Sequence, residues 1–176
     1  SGTGFDNGKN YRMYRLSHII LWRAEVAIEE NQLDVAFGLI NQIRNRAKTS
    51  TPVMGLCTSD KNLGSNPVVD WTKPAANYKV EPYPSATAYP FDNQANARKA
   101  LREECRLEFA TENRRFFDLR RWNLLATVIP AYIAKDSQFR NFMKNAVFSP
   151  TKNDYWPLPQ DQLDLQKGVL TQDPAY

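Results

Sequence analysis

The sequence predicts an all-α protein built on tetratricopeptide-like helical hairpins, decorated by a long irregular loop region and closed by an extended C-terminal tail. Three observations lead there. Apolar residues recur at three- and four-residue steps through several segments, the pattern of a helix with one buried face. Two of these segments are joined by only a few residues, so they must pack antiparallel. The 11 prolines fall almost wholly in two stretches, which separates helices from irregular chain.

The first helix is predicted over Arg12 to Glu30, with Leu16, Ile20, Ala24 and Ala27/Ile28 as its stripe. Asn31, tolerant of left-handed backbone, opens the short link Asn31-Gln32-Leu33-Asp34. A second stripe follows at Val35, Ala36, Leu39, Ile40, Ile43 and Ala47. Small residues at Ala24, Ala27 and Ala36 allow the close helix approach of tetratricopeptide-like hairpins, although the Trp, Gly and Tyr consensus of that repeat is absent.

Residues 48–93 change character: Pro52, Pro67, Pro74, Pro82, Pro84 and Pro90, with Gly55 and Gly64, preclude long regular elements. Val68, Val69, Trp71, Tyr78, Tyr83, Tyr89 and Phe91 supply too much apolar surface for a disordered linker, so this is an ordered loop region. Helix resumes after Asp92-Asn93, either of which can cap, and runs to about Glu112, with Asn113 ending or bending it. A further helical pattern, from Phe116 through Leu125 toward Ile129, is predicted to stop at Pro130, and a short helix is predicted within Gln138 to Ala146. The tail from Tyr155 is drawn out by Pro157 and Pro159 and anchored by Leu163, Leu165, Val169 and Leu170.

Composition excludes several functions. With 42% hydrophobic residues over 176 positions the chain can bury a sizeable core. A net charge of +4 is too diffuse to imply a nucleic-acid partner. No apolar run approaches the roughly 20 residues that span a bilayer, and Ser1-Gly2-Thr3-Gly4 has no basic or apolar export region, so any export signal is expected upstream. Cys57 and Cys105 fit no metal or redox spacing and are expected as free thiols, Cys105 packed. His18 is the single histidine, expected to be partly buried on its helix, and it leaves no zinc cluster or His-based triad to assemble. No cofactor is expected, because no phosphate-cradling glycine loop occurs.

The run Arg102-Glu103-Glu104-Cys105-Arg106-Leu107-Glu108-Phe109-Ala110-Thr111-Glu112-Asn113-Arg114-Arg115-Phe116-Phe117-Asp118-Leu119-Arg120-Arg121-Trp122 resembles the signature helix-turn-helix of the SusD/RagB family. Ala24-Glu25 and Asn41-Gln42-Ile43-Arg44-Asn45-Arg46-Ala47 resemble its alanine-glutamate and Asn-x-x-Arg-x-Arg-Ala helices. Trp156-Pro157-Leu158-Pro159 and Gln172-Asp173-Pro174-Ala175-Tyr176 resemble its C-terminal motifs, Trp-Pro-Ile-Pro and Gln-Asn-Pro-Gly-Tyr. The departures are local: Asn113-Arg114 stand for the usual Gly-His, Cys105 for a common Arg, and Asp173 and Ala175 for Asn and Gly.

This resemblance implies that residues 1–176 are the C-terminal helical portion of a surface-exposed outer-membrane lipoprotein. Such a protein captures oligosaccharides or other nutrients and partners a TonB-dependent transporter. Its membrane attachment would be a lipid on an N-terminal cysteine absent from this chain, a role neither Cys57 nor Cys105 can take.

Glu104, Glu108 and Glu112 share one helix face at four-residue steps, with Arg115 and Arg121 among the nearby cations, so a structural ion network is expected in preference to an anion site. The adjacent pairs Glu29-Glu30 and Glu103-Glu104 point to different helix faces, which is wrong for paired carboxylate catalysis, and no catalytic residue is assigned. Trp71, Tyr78, Tyr83 and Tyr89 form the candidate carbohydrate surface, with Asn77, Lys79, Glu81 and Asp92 as polar neighbours. The plainer role for those aromatics is to pin the loop to the helices. The alternatives to nutrient capture are a helical-repeat interaction scaffold without ligand binding of its own, and an enzyme fragment.

Overall fold

In the computed structural model, which describes residues 13–59 and 67–176, the turn that folds the first hairpin is made by Asn31 in left-handed backbone (φ 58°). The Gln32 N–H reaches back to the Ala27 carbonyl (2.7 Å) and the Asn31 N–H to that of Ile28 (3.0 Å), which satisfies carbonyls that the helix end leaves open. Helix α1 (Leu16–Glu29) thus meets α2 (Leu33–Thr49) after three residues and packs against it. Arg12, Gly64 and the Ser1-Gly2-Thr3-Gly4 start lie outside the described residues.

The protein is mostly helical, with six α-helices and one two-stranded sheet among the described residues. It divides into two compact units, Ser1–Glu108 and Phe109–Tyr176. In the first, α1 and α2 pack with each other and with α3 (Gln94–Glu108). Leu21, Ala24, Ala27, Ile28, Ala36, Ile40, Ile43, Ala97, Ala100 and Leu101 form the core. The α1 stripe is displaced from the predicted one. Ser17 and Leu21 face inward, whereas Leu16 is exposed. His18 is buried, and its Nδ1 accepts the Arg15 N–H (3.1 Å), which closes the first turn of α1.

Between α2 and α3 the irregular region contains an antiparallel hairpin of β1 (Met54–Ser59) and β2 (Val68–Pro74). Pairing runs from Met54 opposite Pro74 to Ser59 opposite Val68, with register shifts after Met54 and after Cys57. The prolines limit these elements to short strands without excluding them. Asn93 caps α3 by accepting the Asn96 N–H (2.9 Å). The α3 side chain of Gln94 donates to the Ile28 and Glu29 carbonyls (2.8 and 3.1 Å) and ties α3 to the end of α1.

Helix α3 stops at Glu108, four residues earlier than predicted, because Thr111 and Asn113 both take left-handed backbone (φ 68° and 59°). The second unit then holds α4 (Arg115–Arg121), α5 (Leu125–Asp136), a 3-10 turn at Asn141–Met143 and α6 (Gln160–Leu165). The helix predicted from Phe116 to Ile129 is broken at Asn123, whose left-handed backbone (φ 54°) lets the Leu124 N–H bond to the Leu119 carbonyl (2.8 Å). Pro130 does not end α5, which runs through it. The sixth residue of that helix gives up one bond, to Ala126, and the helix continues beyond it.

The tail is extended only from Trp156 to Pro159 before α6 begins, and of its predicted apolar anchors Leu163 and Leu170 are half-buried whereas Leu165 and Val169 are exposed. Polar bonds hold it as well. The Gln172 amide pairs with both main-chain groups of Leu158 (3.1 and 2.9 Å), and the Tyr176 hydroxyl donates to the Tyr155 carbonyl (2.8 Å) and that of Lys152. Arg120 of α4 pairs with Asp154 (3.2 Å) and lies 4.1 Å over the Tyr155 ring.

Charged groups of the first unit converge on two glutamates of α3. Glu108, its side chain 8% exposed, accepts from Arg15 and Arg46 at 2.5 Å, and Glu104 accepts from Arg44 at 2.8 Å. In the second unit Arg121 pairs with Asp118 (3.0 Å); Arg115 is the first residue of α4, and Glu112 lies in the turn before it. Burial pushes the Glu104 carboxyl up despite Arg44. Burial acts the same way on Glu108, but bonds from Arg15 and Ser17 and the charges of Arg15 and Arg46 outweigh it and hold that carboxyl below the usual range.

A carboxyl depressed in the folded state adds stability above its unfolded pKa and loses it as pH falls through the folded value. Glu108→Gln should therefore cost about 2 kcal/mol at pH 7, and its gap from wild type in urea titrations should close as pH drops below about 4. A gap independent of pH would contradict the ion clamp.

Candidate functional site

The four candidate aromatics all lie in the first unit but have different surroundings. Trp71, 72% exposed, is on β2. Its ring lies over Gly55 of β1, where an added Cβ would stand 2.9 Å from the ring. Gly55 has a φ of 113°, so two constraints, backbone and space, require glycine there. Tyr89 is 70% exposed, just before buried Pro90 and Phe91.

Tyr83 has the pinning role. Its ring meets the Phe91 ring edge-on (5.4 Å) and lies under the Arg44 guanidinium (4.5 Å), and burial pushes its hydroxyl pKa up. Its main chain is held as well: the buried Asn41 amide donates to the Tyr83 carbonyl (2.8 Å) and accepts its N–H (2.7 Å). Arg44 donates through Nε to the Glu81 carbonyl (2.6 Å), and Lys48 pairs with the Glu81 carboxylate (2.6 Å). Asn41, Arg44 and Lys48, at three- and four-residue steps on α2, form a polar stripe that grips residues 81–83.

That grip leaves a groove between the end of α2 and residues 78–81. It encloses about 650 Å³ and is lined by Lys48, Pro52, Val53, Tyr78, Lys79 and Glu81, among others. A second cavity of about 500 Å³ adjoins it, lined by Pro52, Leu56, Lys73, Pro74, Asn77 and Tyr78. Tyr78, 50% exposed, belongs to both and forms the ridge between them. Both volumes fall within the range of small-ligand sites, and both linings are mostly apolar with a few polar groups.

Of the polar neighbours, Asn77, Lys79 and Glu81 line these cavities, while Asp92 instead accepts from Asn96 (3.0 Å) at the start of α3. Sequence reasoning missed Lys48, Pro52, Val53 and Lys73. Lys48 is brought in from α2 across 33 residues by its pair with Glu81, a partnership no local pattern announces. No group of three or more His, Cys, Asp or Glu placed to hold a metal ion occurs among the described residues. Cys57 is exposed and Cys105 buried, both as free thiols.

The model of the SusD family matches residues 1–176. The chain belongs to the SusD family. A crystal structure of a SusD superfamily protein from Bacteroides vulgatus ATCC 8482 is similar to this SusD-family chain at 23% identity and a TM-score of 0.58. That match covers 95% of this chain and 28% of the other, so the chain spans little more than a quarter of its structural relative. No curated protein matches it.

Gly55→Ala should displace the Trp71 ring and cost roughly 1–3 kcal/mol in a thermal melt. Unchanged stability and tryptophan emission would mean that the ring does not cover Gly55.

Proposed function

We propose that this SusD-family chain contributes to a binding protein that captures oligosaccharides at the cell surface and delivers them to a TonB-dependent outer-membrane transporter. Tyr78 carries the reading. It is a half-exposed aromatic on the ridge between two cavities whose rims supply amide, ammonium and carboxylate groups. The C–H faces of a sugar ring stack on such a surface while its hydroxyls meet the polar rim. Trp71 and Tyr89 are exposed aromatics of the same segment, whereas Tyr83 supports the site by fixing the chain just after the wall residues Tyr78 to Glu81.

Binding without turnover fits the carboxylates. Glu29 is engaged by Arg98, Glu103 by Arg106, and Glu104 and Glu108 by Arg44, Arg15 and Arg46. An acid-base pair of the kind that cleaves glycosides needs two carboxyl groups facing one substrate, and these are committed to guanidinium groups. Membrane attachment through a lipidated N-terminal cysteine belongs to the same proposal. Cys105 is buried in α3 and Cys57 lies within a strand, and neither position suits an anchor.

The scaffold reading draws on the second unit, where Phe139, Phe142, Val147 and Trp156 are all more than three-quarters exposed. Apolar side chains so placed suit packing against protein better than contact with a sugar.

The protein expressed from its complete gene, screened first on a glycan array, tests the proposal through Tyr78→Ala. Calorimetric affinity for a bound glycan should fall about tenfold, the loss of roughly 1.4 kcal/mol, with the melting temperature unchanged. Tyr83→Ala should lower the melting temperature instead. Full affinity in Tyr78→Ala would remove the groove from the site.

A further inference from the structure

Resting on the assignment of the Tyr78 groove as a saccharide site, we infer that its ligand is a negatively charged glycan, one bearing carboxylate or sulfate groups, and that Lys79 is the side chain that reads the charge. The two cavities that meet at Tyr78 are lined by three ammonium groups, Lys48, Lys73 and Lys79, and by one carboxylate, Glu81. They differ in what already engages them. Lys48 pairs with Glu81 (2.6 Å), and Lys73 with Asp70 (3.2 Å). Lys79 has no ion-pair partner among the described residues.

The Lys48–Glu81 pair therefore leaves the groove with an uncompensated cation beside its aromatic ridge. A neutral sugar hydroxyl gains little from an ammonium that water already solvates. An anionic group forms a charge-assisted bond, roughly twice as strong as a neutral one. Asp70 does not cancel this charge: it lines neither cavity, and Thr72 also engages its carboxylate through both N–H and hydroxyl (3.0 and 2.6 Å).

A helix C-terminus beside a site ordinarily repels anions, because its last carbonyls point outward. The end of α2 is covered. The Thr49 hydroxyl donates to the Asn45 and Arg46 carbonyls (3.0 and 3.2 Å), the Ser50 hydroxyl to Arg46 (2.7 Å), and the Ser50 N–H to Ala47 (3.3 Å). The Arg46 and Ala47 carbonyls in the last turn of α2 thus already accept hydrogen bonds, and the Lys48 ammonium stands in the same turn.

Matched ligands test the inference on the protein from the complete gene. Tetragalacturonate is compared with its full methyl ester, which keeps the ring chain and removes the charge; a sulfated carrageenan tetrasaccharide is compared with its desulfated form. Wild type should bind at least one charged member about tenfold more tightly than its neutral counterpart, and the pair that shows the preference identifies carboxylate or sulfate as the source. Lys79→Met should erase that preference by weakening only the charged ligand, and Lys79→Arg should restore it. Equal affinity for charged and neutral members, with Tyr78→Ala weakening both, would overturn the charge inference and leave the saccharide groove standing. Binding of all four ligands untouched by Tyr78→Ala, or no binding of any of them beside array hits that Tyr78→Ala leaves intact, would overturn both.

Discussion

The candidate site depends on one side chain, the buried amide of Asn41, which meets both main-chain groups of Tyr83. A chain segment crossing a helix cannot borrow the helix's own backbone for hydrogen bonds, since those groups are consumed internally. Asn41 supplies the missing donor and acceptor in the geometry a neighbouring strand would offer. One turn on, Arg44 takes the Glu81 carbonyl and covers the Tyr83 ring, and a further turn on Lys48 takes the Glu81 carboxylate. The groove is the space left where this stripe ends and the chain turns away toward Tyr78.

Arg44 links that stripe to the helical core, because its guanidinium also meets Glu104 on α3. The same three-helix unit uses Glu108 to bind Arg15, before α1, and Arg46, near the end of α2. Buried carboxylates are costly to desolvate and do not explain stability by their number. What they do here is fix which helix ends meet, since an unpaired Glu104 or Glu108 within this packing would be far more costly than a paired one.

Much of this was legible in the sequence, for identifiable reasons. The α1/α2 hairpin follows from apolar spacing and from Asn31, and α3 from the stripe through Ala97, Leu101 and Cys105. The breaks were harder to read. Asn123 lies among Trp122, Leu124 and Leu125, so apolar periodicity runs straight through a residue that reverses the backbone. Pro130, the obvious breaker, costs α5 one hydrogen bond near its N-terminal end without stopping it. The hairpin of β1 and β2 escaped notice because its register slips twice and Gly55 interrupts its alternation. Within the site, Tyr78 and Lys79 were visible as an aromatic and its polar neighbour, but Lys48 and Lys73 arrive from other elements, and Tyr83 differs from Tyr78 only in what α2 places over it.

The Asn41 amide, and that of Gln172 with Leu158 in the other unit, make their hydrogen bonds to the peptide groups of the target residue. A fastening of this kind is indifferent to side-chain identity. Any residue except proline at position 83 presents the same N–H and carbonyl to Asn41, and any residue at 81 the same carbonyl to Arg44. Main-chain bonds thus attach the wall of the groove at points that do not read its chemistry, while the Lys48–Glu81 ion pair and the Arg44-covered Tyr83 ring add attachments that do. Residues beside those points, such as Lys79 and Val80, can be exchanged, changing what the surface selects without unfastening it, as a tool holder accepts different bits on one shank.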